Sequence, residues 1–176
     1  VPERCVTFCI DTSGSMFSAL DVVKEQLMET LYILAARDDK PMFNLIEFNS
    51  HVTQWADKMV HCVPETVAVA RKWLNDLTAK TGTNTEDALI AALVDSVCQA
   101  VYLITDDVPD QEIEHVLDKI FEICGSRRIH CIYITGETTD ESAIEFLEDL
   151  AVESFGSFNI VKLSSHGSIE KIIPVY

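Results

Sequence analysis

CVTFCIDTSGS, Cys5 to Ser15, is the stretch on which the fold turns. Its first six residues form an apolar, β-rich run without a charge, as expected of a strand covered on both faces. DTSGS then sets one carboxylate (Asp11) and two hydroxyls (Ser13, Ser15) at alternate positions. Beyond it Leu20, Val23, Leu27, Leu31 and Leu34 mark a long amphipathic helix. A polar turn therefore stands at a strand-to-helix junction, and any site there needs partners from elsewhere in the chain.

The same alternation continues to the end. Further strand candidates are Met42–Phe48, Val52–Trp55, Ala100–Thr105, Ile129–Thr135 and Phe158–Leu163. Only Asn49, Ser50 and His51 separate Phe48 from Val52, too few for a crossover helix, so the third strand should run antiparallel at an edge. Helical spacing recurs in Val67, Ala70, Leu74 and Leu77 behind Pro64, and from Thr85 to about Val97. It recurs again in Ile113, Val116, Leu117, Ile120, Phe121 and Cys124, and in Ala143, Phe146, Leu147, Leu150 and Ala151 behind Asp140 and Glu141. Ile169, Ile172 and Ile173 suggest a short last helix, ended by Pro174.

Strands alternating with helices predict one doubly wound, Rossmann-like α/β domain over residues 1–176. Its sheet is expected to be six-stranded and mostly parallel, with one antiparallel edge strand and helices on both faces. Ligands of such folds bind beyond the carboxyl ends of the strands, where the winding reverses. If the first strand neighbours Ala100–Thr105, the loops after Ile10 and after Thr105 meet there.

Composition narrows the chemistry. The 176 residues carry a formal charge of -16, which argues against nucleic acid and anionic membrane surfaces as partners. No apolar run approaches the ~20 residues that span a bilayer, so no membrane insertion is expected. The chain begins at Val1 rather than Met, and is expected to be excised from a longer polypeptide. Its six cysteines follow no disulfide framework, and there is no Asn-x-Ser/Thr acceptor; reduced thiols in an intracellular, cytoplasmic protein are expected. His61-Cys62 and His130-Cys131 lack the spacing of a zinc site.

Three loops then supply the missing partners: Asp11 to Ser15, Asp106-Asp107, and Thr81-Gly82-Thr83-Asn84-Thr85. Hard oxygen donors with few formal charges, and neither sulfur nor imidazole, describe a Mg²⁺ or Mn²⁺ site. DTSGS has the DxSxS form found in the von Willebrand factor type A domain, in its metal-ion-dependent adhesion site. TGTNTEDAL (Thr81–Leu89) and YLITDD (Tyr102–Asp107) follow in that family's order and separation, so the chain resembles this family over essentially its whole length.

The resemblance implies a six-stranded sheet with one divalent cation at its upper edge. It implies that Ser13 and Ser15 donate hydroxyl oxygens to the metal and that Thr83 binds directly or through water. Asp11 and Asp106 would hold coordinating waters and orient the hydroxyls. Thr12, Gly14, Asn84 and Asp107 would form the ligand-binding rim. It further implies a protein partner whose Asp or Glu completes the coordination, which suits a site poor in charge. Two features depart from the family. Thr105-Asp106-Asp107 replaces the usual TDG, a turn that Asp tolerates better than most residues. The C-terminal helix whose displacement regulates affinity in adhesion members would be very short here.

The expected function is thus a metal-dependent protein-interaction module and not an enzyme. The alternative is a metal-occupied scaffold domain inside a larger intracellular assembly. A hydrolase fits less well: no GxSxG elbow is present, and Ser13 stands where an aspartyl phosphatase needs a second carboxylate. P-loop and GxGxxG fingerprints are absent.

Overall fold

Strand β1 (Cys5–Asp11) is buried at every position in the computed structural model, which describes residues 1–176. It runs parallel to β2 (Met42–Phe48) on one side and to β5 (Ala100–Thr105) on the other. β6 (Arg128–Thr135) and β7 (Phe158–Leu163) extend the parallel sheet beyond β5. Both borders are antiparallel: β3 (Val52–Gln54) and β4 (Val60–His61) pair with β2, and β8 (Ile169–Pro174) pairs with β7. The order across the sheet is β3-β2-β1-β5-β6-β7-β8, with β4 also against β2. The winding reverses between β1 and β5, so their loops are neighbours.

Helices α1 (Leu20–Ala35) and α2 (Pro64–Asn75) share one apolar core with β2, through Leu27, Leu31, Leu74, Phe43 and Leu45. Helices α3 (Thr85–Val94), α4 (Ile113–Ile123) and α5 (Glu141–Glu153) build the other with β6 and β7. The start of α5 is set locally. The Asp140 carboxylate accepts from the amides of Ser142 and Ala143 at 2.9 and 3.3 Å, a cap worth about 1 kcal/mol.

The structure corrects the sequence reading in three places. The sheet has eight strands rather than six, because β4 is only two residues long and β8 was expected to be a helix. A turn at Ser164–Gly167, with Gly167 at φ +80°, folds β8 back on β7, opposing Ile172 to Val161 and Lys171 to Lys162. Three β-branched isoleucines suit such a strand, and an edge tolerates Pro174. Finally, α3 stops at Val94 rather than near Val97, since the Asp95 carboxylate takes the amides of Val97 and Met59.

No helix is long and apolar enough to cross a membrane. All six cysteines are free and buried, and burial pushes the Cys62 thiol up to about 11. Trp55 lies just past β3 and stacks on Phe43, ring centroids 5.1 Å apart, as a packing residue.

Candidate metal centre

Asp11 ends β1, wholly buried, and both its carboxylate oxygens are engaged. Oδ1 accepts from the Ser13 amide at 2.7 Å, which closes the turn, and Oδ2 accepts from Thr105 Oγ1 at 2.6 Å. The loop then makes a single 3-10 turn, Gly14–Met16, that brings Ser15 back over Ser13. The two hydroxyl oxygens lie 3.3 Å apart, and Ser15 Oγ donates to Asp106 Oδ1 at 2.9 Å. Ser13, Ser15 and Asp106 therefore form one chain of oxygens, with Asp11 behind it.

The electrostatics of this chain are unbalanced. Burial raises the Asp11 carboxyl above the usual range, against the pull of its bonds from Thr105 and Ser13. Asp106 is pushed up to about 6, first by burial, with the charges of Asp11 and Asp107 adding to it and the Ser15 bond opposing. Neither carboxylate has a basic side chain among its hydrogen-bond partners. A donor set of hydroxyls and carboxylates, with like charges crowded together, fits a hard divalent cation. Nowhere in the chain do three His, Cys, Asp or Glu side chains gather as a metal cluster, so any such ion would rely on the hydroxyls.

Thr83 sits buried in the adjoining loop, and Asp110 grips it from both sides. Its amide donates to Asp110 Oδ2 at 2.7 Å, and its carbonyl accepts from the Asp110 amide at 2.9 Å. Two residues on, Thr85 Oγ1 is buried without a hydrogen-bond partner. Gly82 is required here: its φ is +87°, and a Cβ would fall 2.7 Å from the Ser50 side chain.

The expected rim residues divide. Gly14 is exposed. Thr12 is not at the rim but fully buried beneath the loop, its hydroxyl bonded to Glu47 and Asn49. Asn84 caps α3 through the Asp87 amide and also accepts from Gln111 Nε2 at 2.6 Å. Asp107 turns along the chain, Oδ1 accepting from the Val108 amide at 2.7 Å. Two polar clefts open beside Asp106, one of about 220 Å³ toward Ser164 and Gly167, the other of about 310 Å³ toward Thr139 and Asp140. Sequence reading missed Glu47, Lys80, Thr105 and Asp110. The one available signal was Glu47, a carboxylate inside the otherwise apolar run LIEF that must find a partner when buried.

A family model described as von Willebrand factor type A domain matches residues 5–160. The chain belongs to the von Willebrand factor type A family. Domains of this family mediate protein–protein interactions. The chain is 32% identical over 155 residues to human von Willebrand factor A domain-containing protein 3B, covering 88% of this chain and 12% of that protein. It thus spans only a small part of that relative. Among solved structures, a von Willebrand factor type A protein from Catenulispora acidiphila superposes with a TM-score of 0.77 at 19% identity, over 90% of this chain and 38% of that one. Proximal thread matrix protein 1 from the mussel byssus, described with a zinc-occupied adhesion-site motif, gives 0.64 at 17% identity, over 89% and 41%. At these identities the likeness is one of fold.

Proposed function

We propose that this type A domain is a protein-interaction module that depends on a divalent metal. Asp11, Ser13, Ser15, Thr83 and Asp106 would hold one Mg²⁺ or Mn²⁺, the serine hydroxyls as direct donors. The observation that carries the reading is the oxygen chain Ser13–Ser15–Asp106, backed by Asp11 and without a cationic side chain to balance it. A bound ion would supply the missing positive charge and an electrophilic position for a carboxylate from outside. The residues of this chain would fix the geometry: Asp11 sets the Ser13 turn, and Asp106 orients the Ser15 hydroxyl. A partner's Asp or Glu would then approach over exposed Gly14 and Ser15, with the flanking clefts taking its neighbouring side chains. The role proposed is binding rather than catalysis.

A scaffold role inside a larger assembly is the second reading, favoured by the small share of the human relative that this chain spans. An intracellular setting is proposed from the six free, buried cysteines. Thiol counting under denaturing conditions without reductant should then return six, and a clear deficit would contradict it. The test of the main reading is a Mn²⁺ titration followed by water-proton relaxation, expected to show one saturable site. Absence of saturation would overturn it. Capture of partners in Mg²⁺ but not in EDTA separates the interaction module from the scaffold.

A further inference from the structure

Glu47 lies in β2 among apolar neighbours and is 7% exposed. A carboxylate so placed is costly unless it is paired and hydrogen-bonded. A single oxygen, Oε2, takes both of its bonds: Thr12 Oγ1 donates to it at 3.0 Å and Lys80 Nζ at 2.7 Å. Thr12 follows Asp11, whereas Lys80 opens the segment that carries Thr83. The backbones of the same two residues also meet, the Lys80 amide donating to the Thr12 carbonyl at 2.7 Å, and Ser13 bridges to Lys80 as a parallel pair. Asn49 closes the group from β2's end, its Nδ2 donating to Thr12 Oγ1 at 3.0 Å while its carbonyl accepts from the Asn84 amide at 2.7 Å.

We propose that Glu47 and Lys80 are positioning residues that lock the DTSGS loop against the Thr81–Thr85 loop. They thereby set Ser13 and Thr83 relative to each other for a divalent cation. The inference rests on the metal-binding reading above. Neither residue bonds to Asp11, to the Ser13 or Ser15 hydroxyl, or to Asp106, so their action passes through Thr12 and the Lys80 backbone. The Lys80 side chain is 47% exposed against 9% for Glu47, so loss of the lysine strands a buried carboxylate that then pulls on Thr12 alone.

A positioning role and a plain electrostatic one predict opposite signs, which makes the test sharp. Removing a nearby positive charge should tighten cation binding if charge alone acted. Removing a clamp should weaken it. Mn²⁺ titration by water-proton relaxation is run on wild type, Lys80→Met, Glu47→Gln and Glu47→Ala, each with a thermal melt. Lys80→Met and Glu47→Ala should raise Kd about tenfold, the usual scale for losing a group that orients a metal ligand. Glu47→Gln keeps an acceptor oxygen for Thr12 and should stay closer to wild type than Glu47→Ala. A Kd in Lys80→Met that is unchanged or lowered would overturn the inference, as would equal losses in Glu47→Gln and Glu47→Ala. Because Lys80 is exposed, its variant decides the matter even if Glu47→Ala does not fold. A wild type with no saturable Mn²⁺ site is a different result, and overturns the metal reading itself.

Discussion

Two buried polar groups at opposite ends of the parallel sheet, around His130 and around Asp11, are built in opposite ways. At the amino ends of the strands, His130 of β6 is 6% exposed and hydrogen-bonded on both ring nitrogens. Nε2 lies 2.5 Å from Glu3 Oε1, Nδ1 lies 2.8 Å from Ser157 Oγ, and the ring stacks on Tyr102 at 4.6 Å. The ring meets a carboxylate at one nitrogen and a hydroxyl at the other. At the carboxyl ends, Asp11 and Asp106 converge with Ser13 and Ser15, and the only side-chain partners are hydroxyls. The lesson is that buried polarity alone does not mark a site. A self-complementary group staples the fold; a group of one sign, opened toward solvent, calls for something from outside.

That contrast predicts separable losses. Asp106→Ala should weaken Mn²⁺ binding by a hundredfold or more on the ~100-fold scale of a lost metal-orienting group, with little change in the melting temperature in EDTA. His130→Ala should do the reverse. It strands the Glu3 carboxylate and removes a stacked ring, costing about 3 kcal/mol of stability while leaving the Mn²⁺ Kd at the wild-type value. Denaturant unfolding and Mn²⁺ titration on both variants would check the pair. If His130→Ala cost as much metal affinity as Asp106→Ala, the two ends would not be independent and the comparison would fail.

A smaller effect sharpens it. In metal-free protein the Asp106 carboxyl, pushed up to about 6, is more readily protonated folded than unfolded. Such a group contributes stability below its unfolded value near 4, and that contribution is lost as pH rises through about 6. Asp106→Asn should therefore stabilise EDTA-treated protein at neutral pH, by about 1 kcal/mol once solvent screening is allowed for. The gain over wild type should disappear as pH falls toward 4. Melts across that window in EDTA would show it; a variant less stable than wild type at neutral pH would mean that the carboxylates are not frustrated without the ion.

How far all this could be read from the sequence depended on whether the signal was local. β1, β2, β5, β6 and β7 were legible because strands buried on both faces must be nearly continuous in apolar residues. β8 was not: Ile169, Ile172 and Ile173 fit a helical face as well as an edge strand, and only the turn through Gly167 decides between them. Asp11, Ser13, Ser15, Thr83 and Asp106 stood out because each lies in a polar loop after or before a strong element. Where Asp11, Ser13, Ser15 and Asp106 meet was legible only through the reversal between β1 and β5. Glu47, Lys80 and Asp110 each stand alone in their own segment, and their pairing with Thr12 and Thr83 exists only once the loops are folded together. Thr12 was misplaced for the same reason, since Gly14 and Ser15 of the same loop are exposed while its own hydroxyl turns inward to Glu47.

The smallest effect is expected at Asp107, adjacent to Asp106 and of the same chemistry. Neighbouring side chains at a strand end point in different directions, so one of two consecutive carboxylates faces the site and the other does not. The structure places Ser15 on Asp106 and turns Asp107 to the Val108 amide. Asp107 therefore acts on the oxygen chain only at a distance, as one of the like charges that raise Asp106. A charge acting that way is worth about 1 kcal/mol and is screened by salt, so Asp107→Gly should change the Mn²⁺ Kd by no more than a few-fold. Losing its attraction for the cation and losing its repulsion of Asp106 partly cancel, which keeps the change small. For an acidic partner only the repulsion remains, and Asp107→Gly should bind such a partner somewhat more tightly at low ionic strength. Titration of Asp107→Gly beside Asp106→Ala gives the decisive pattern. Were Asp107→Gly to lose the metal while Asp106→Ala kept it, the roles of the two carboxylates would be exchanged, and the assignment of the third loop would be wrong by one residue.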